Sequence, residues 1–212
     1  RLGNIDAVVK LWHSSIRMMA MFIYPTLVFF LLTADHLIPF LFTDAYIDSV
    51  IIFQVYTLGL ITRITSYDAI VRAVGKTKIL FKMAMLAVFL NIVFTVALIE
   101  LIGIVGAPLA TVLVGTTLRF GYLLIITRIL NINMVSVFPW ISLGKLLLSS
   151  AVAALVVLPI LSLDLTHFQM LTVCGTVYGI IYLIALRMSK ALGQSEKKSI
   201  RRLLPKKLNW II

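Results

Sequence analysis

The sequence predicts an all-α, polytopic membrane bundle of about six transmembrane helices, and three observations carry that expectation. Apolar residues make up 61% of the chain and charged ones only 13%. Mean hydropathy is +1.09, far above the range of water-exposed domains. Apolar runs near the ~20 residues needed to cross a bilayer core of ~30 Å recur along the whole length. The period-two alternation of a transmembrane barrel is absent.

The chain opens on RLGNIDAVVKLWHSSIR, an amphipathic stretch without a signal-peptide core, so the sequence is expected to belong to a longer protein. Hydropathy places spans at about 15–34, 48–72, 79–101, 104–127, 141–161 and 168–187. Residues 1–17 then form a cytoplasmic lead-in, 18–130 and 131–188 hold four and two helices, and 189–212 form a basic tail. Of the 19 Lys and Arg residues, all but Arg63 and Arg119 fall in or directly flank the lead-in, the second-to-third connection, the fourth-to-fifth connection, or the tail. The other connections carry only acids: Asp35, Asp44, Asp48, Glu100 and Asp164. Positive charge accumulates on the cytoplasmic side, which predicts that both ends are cytoplasmic. The net charge of +11 follows from this asymmetry and from the tail KKSIRRLLPKKLNWII, which suits anionic membrane lipids. Nucleic acid is not an expected partner.

The single cysteine, Cys174, excludes an internal disulfide. His13, His36 and His167 are scattered without metal-ligand spacing, so neither a metal nor a catalytic set is expected. Small residues at i+4 spacing, Gly103, Ala107, Thr111 and Gly115, with Gly175 and Gly179 later, mark helix faces where backbones can approach closely.

Charges inside spans are costly and face partners or wet cavities. Within YTLGLITRITSYDAIVRAVGK, Asp68 and Arg72 stand four apart and can pair on one helix face. Arg63 and Arg119 each lie nine residues from a basic residue at the expected cytoplasmic boundary, Arg72 and Arg128. On continuous helices that is ~13 Å deep for both. Two guanidiniums at one depth suit phosphate, because each planar fork can hold two oxygens. Gln54, Tyr56, Thr57, Thr62, Thr65, Ser66 and Tyr67, with Asn91 and Thr95 in the third span, add hydrogen-bonding groups. A bond between helices, or an ion pair with Asp68, is the alternative use for the arginines.

The ordered set FLFTDAYIDSVIIFQVYTLGL, AVGKTKI, a helix with a central Asn91, and GIVGAPLAT resembles the carboxy-terminal lobe of the multidrug/oligosaccharidyl-lipid/polysaccharide (MOP) transporter superfamily, which includes the MATE exporters. The nearest likeness is to bacterial polysaccharide exporters and O-antigen flippases. It covers residues 20–127, and the last two helices resemble the extra pair many of those exporters carry. Pro108, where Ala is more usual, and the lone Asn91, where a second Asn often accompanies it, depart from the pattern. The resemblance implies two helical lobes that rock between inward-open and outward-open states, with the amino-terminal lobe lying elsewhere in the same protein. It implies a place in the bacterial cytoplasmic membrane. Its cargo would be oligosaccharide on undecaprenyl pyrophosphate, flipped for O-antigen, capsule or exopolysaccharide, with polysaccharide polymerase machinery as a further partner. Substrate contacts would then fall to Arg63, Arg119, Asp68, Tyr67 and Asn91. No cofactor is expected, and proton or sodium coupling through Asp68 stays open. A cation-coupled multidrug exporter and a peptidoglycan-precursor flippase are the rival readings; a membrane-embedded enzyme lacks the clustered acids, metal site or catalytic His set it would need.

Overall fold

The computed structural model describes residues 5–191 together with Gly193 and Glu196; the basic tail expected from 189 onward lies mostly outside the described residues. Every regular element among the described residues is helical. We number the α-helices α1 (Ile5–Phe42), α2 (Val50–Leu58), α3 (Asp68–Ala73), α4 (Thr77–Ile102), α5 (Gly106–Leu130), α6 (Trp140–Val157) and α7 (His167–Ser189). Five helical segments are long and apolar enough to cross a membrane: Ile5–Phe42, Asp44–Thr62, Thr77–Leu130, Trp140–Ser162 and His167–Ser189. The third spans 54 residues and folds back at Gly103, so α4 and α5 take the place of two expected spans.

The chain divides into two compact units. One comprises residues 1–13 and 51–138, and its centre is the α4–α5 hairpin. Gly103 turns the chain with φ 72°, a conformation glycine adopts freely. Gly106 then lies against the preceding helix: a Cβ there would sit 2.2 Å from the Leu98 carbonyl oxygen. Val71, Ala110, Ile126 and Val137 are fully buried in this unit. Trp12 closes one edge by donating its indole N–H to the Val137 carbonyl at 3.2 Å. None of the 26 residues of α4 is buried, which leaves an apolar helix face for lipid or other helices.

The other unit comprises residues 14–50 and 139–212. Here α1 packs with the α6–α7 pair, and Ile16, Leu146, Ala153, Val157, Met170 and Cys174 are buried. This grouping differs from the expected division into 18–130 and 131–188. The side chains show why: α1 presents Phe29 to Tyr178, with ring centres 5.4 Å apart, and its Arg17 pairs with the buried Glu196. Pro25 inside α1 has no N–H, so the Met21 carbonyl loses its helical partner. The Tyr182 hydroxyl donates to that carbonyl at 2.6 Å. α7 begins with a capping box, Thr166 bonding the Gln169 N–H while Gln169 bonds back to Thr166.

Candidate functional site

The site grows from a break in the second expected span. Hydropathy suggested one helix over 48–72. Instead the helical segment ends at Thr62, residues 63–67 are irregular, and α3 starts at Asp68. The local sequence favours this stop. Ile61, Thr62, Ile64 and Thr65 are β-branched and lose side-chain freedom in a helix. The freed end groups find partners. The Tyr67 hydroxyl donates to the Thr62 carbonyl at 2.9 Å, and the Arg63 N–H donates to the Leu60 carbonyl at 2.9 Å. Gly59 lets α5 come near this segment: a Cβ there would lie 3.0 Å from a Val112 methyl.

The break opens a pocket of about 500 Å³ in the α2–α5 unit, lined by Arg63, Thr65, Ser66, Tyr67, Asp68, Arg72, Arg119 and Tyr122, with Leu80 and Ala84 from α4. Arg119, half-buried on α5, donates from Nη1 to Thr62 Oγ1 at 2.6 Å. Gly115, one turn earlier, lies beneath its guanidinium, 3.4 Å from an added Cβ to Nη1. Asp68 accepts from Arg72 Nε at 2.6 Å, the pairing its i,i+4 spacing suggested. Arg63 is exposed and makes no side-chain hydrogen bond or ion pair among the described residues. Its charge acts on Arg119, so the two cations share one site. Three guanidiniums against one carboxylate leave the pocket with excess positive charge.

Four of the five residues expected to contact substrate therefore meet in one place: Arg63, Arg119, Asp68 and Tyr67. Asn91 is not among them. Its Oδ1 accepts from Thr95 one turn along α4, at 3.4 Å. The equal-depth arithmetic for the arginines also changes, because residues 63–67 do not follow a helical rise. They still converge, through the bond from Arg119 to Thr62.

The small-residue stripes serve several ends. Gly103 is the hairpin turn and Gly115 underlies Arg119. Thr111 returns its hydroxyl to the Ala107 carbonyl at 3.2 Å. The close backbone approach falls at Gly106, which the i+4 pattern passed over. Gly175 and Gly179 line an apolar groove of about 410 Å³ with Phe29, Phe30, Tyr178 and Tyr182, and a Cβ on Gly179 would meet nothing within 4 Å. Sequence reasoning missed Tyr122 and Arg72 as pocket walls; their i+3 and i+4 spacing from Arg119 and Asp68 was the available signal. Among the described residues no group of three or more His, Cys, Asp or Glu side chains can hold a metal ion.

No family model matches the chain, and no curated protein or solved structure does either.

Proposed function

We propose that this chain is part of a transporter that flips an oligosaccharide linked to undecaprenyl pyrophosphate across the bacterial cytoplasmic membrane, by alternating access. The observation that carries the reading is Arg63, without an ion-pair partner among the described residues, beside Arg119 in a pocket built on a broken apolar segment. Irregular backbone at membrane depth is tolerated where it is buried in protein or lines a wet cavity. Guanidiniums in such a cavity bind the doubly charged pyrophosphate of a lipid-linked sugar, and the hydroxyls of Thr65 and Ser66 add neutral donors, while that of Tyr67 is held by the Thr62 carbonyl. Asp68 is already paired with Arg72, so the pocket offers a cationic drug no free carboxylate. That favours an anionic cargo over the multidrug-exporter reading.

The test uses the full-length parent protein in a cell lacking its own flippase. Arg63→Gln and, separately, Arg119→Gln are expressed at normal membrane levels and surface polysaccharide is measured. A charge-assisted hydrogen bond contributes about 1.5–3 kcal/mol, so Arg63→Gln is expected to lower export by roughly ten-fold or more. Full export by both variants would sink the proposal.

A further inference from the structure

Two histidines that stand 131 residues apart in the chain meet within the α1–α6–α7 unit. Nδ1 of His36, near the end of α1, lies 3.2 Å from Nδ1 of His167, the first residue of α7. The ring centres are 5.4 Å apart, close to the most that the nitrogen gap plus the two ring radii allow. The rings therefore meet nearly end-on. That is the geometry of a hydrogen bond, not of two lone pairs converging on a metal. On its far side, His167 Nε2 lies 3.3 Å from Asp44 Oδ1.

The proton positions follow. A carboxylate only accepts, so the nearby Asp44, itself largely exposed, favours the tautomer of His167 with its hydrogen on Nε2. His167 Nδ1 is then an acceptor, and His36 must donate from Nδ1. This chain tolerates one added proton, because His36 as an imidazolium keeps its Nδ1–H. A second added proton places an N–H on each facing nitrogen, and the bond becomes a repulsion between two cations.

The acidic group acting on His36 is its neighbour Asp35. The one charged residue of α6, Lys145, is near that helix's start, whereas α7 begins beyond its end. Beside Asp44, Thr43 has φ 84° and ψ 164°, a region essentially confined to glycine. It is held there by its own N–H to Pro39 at 2.8 Å and by the Tyr46 N–H to its carbonyl at 3.2 Å. A strained joint therefore separates His36 from Asp44, and the contacts on both sides keep it closed.

We propose that His36, His167 and Asp44 form a proton-binding clip between the end of α1 and the start of α7, which holds until both rings are charged and then opens, relaxing Thr43. The clip is independent of the cargo proposed above. It is tested by solid-state NMR on the chain in lipid bilayers, with 15N-labelled histidine and His13→Gln to simplify the spectra. A nitrogen–nitrogen coupling through the hydrogen bond is expected between His36 and His167 at about pH 8 and is expected to vanish by about pH 5, the range in which imidazoles charge. Asp44→Ala should release the His167 tautomer and weaken the coupling at the higher pH. Thr43→Gly should carry the coupling to lower pH by removing the strain. The proposal is overturned by absence of coupling at the higher pH, by its persistence unchanged at the lower one, or by its loss on adding a chelator, which would mean a metal joins the rings. Unchanged pH dependence in Thr43→Gly would overturn the part assigned to the strained joint.

Discussion

Tyr182 shows what one hydroxyl does in an apolar bundle. Pro25 strips the Met21 carbonyl of its helical partner, and the tyrosine replaces that bond from another helix at 2.6 Å. Tyr182→Phe leaves the carbonyl buried and unpaired, at a cost of about 1–3 kcal/mol. Reversible unfolding in mild detergent should show that loss, and the double variant Pro25→Ala/Tyr182→Phe should recover much of it, because Ala restores the N–H. Glu196 makes a pH-dependent contribution. Burial pushes its carboxyl up, but hydrogen bonds from Arg17, its own backbone and Ser14 outweigh burial and hold it below its ordinary value of 4.5. A depressed folded value means the pairing contributes stability above the unfolded carboxylate range and loses it as pH falls through the lowered one. Arg17→Met should therefore flatten the acid limb of the stability curve below about pH 4.5, measured by thermal unfolding against pH.

At the scale of elements, two glycines of the kind that pattern reading treats alike should respond oppositely to alanine. Gly106→Ala drives a methyl into the Leu98 backbone, 2.2 Å from its oxygen, and nothing there can swing aside. The hairpin of α4 and α5 must separate, so folded yield should collapse. Gly179→Ala places its methyl in open space and should be neutral or stabilising by up to about 1 kcal/mol, the helix-propensity gain. Monodispersity on size exclusion and melting temperature distinguish the two. The elements themselves were largely legible. Long apolar runs between charged connections gave each helix, because crossing a bilayer leaves few alternatives. The break at 63–67 was hidden, since a hydropathy window averages across Ile61 to Tyr67. The β-branched residues and Tyr67 hold the information, but only the hydroxyl reaching back to Thr62 turns it into a helix end. The site was half legible for the same reason. Charge within an apolar run singled out Arg63, Asp68 and Arg119. Asn91 carried the same signal and is spent within its own helix, a choice of rotamer that spacing does not fix. The pairing of His36 with His167 depends on tertiary packing alone, as does the return of α1 to the last two helices.

For the whole molecule, the segregation of charge makes a prediction that one helix can test. α4 has 26 residues, ~39 Å at helical rise, enough to cross a core of ~30 Å. Lys76, Lys78 and Lys82 cluster at its start, while Glu100 and the Gly103 turn mark its end. If the basic excess sets the orientation, Lys76 faces the cytoplasm and Ile104 the outside. In a Cys174→Ala background, Lys76→Cys should react with an impermeant maleimide only after the membrane is opened, and Ile104→Cys should react in intact cells. The reverse pattern would invert the chain. The pocket of Arg63 and Arg119 lies near the Lys76 end of α4, where Leu80 and Ala84 form its wall. Inversion would therefore place the cations toward the wrong leaflet to receive a pyrophosphate made in the cytoplasm. An inverted labelling pattern would therefore sink the cargo proposal along with the orientation, because a headgroup can be captured only by charges that face the compartment it comes from.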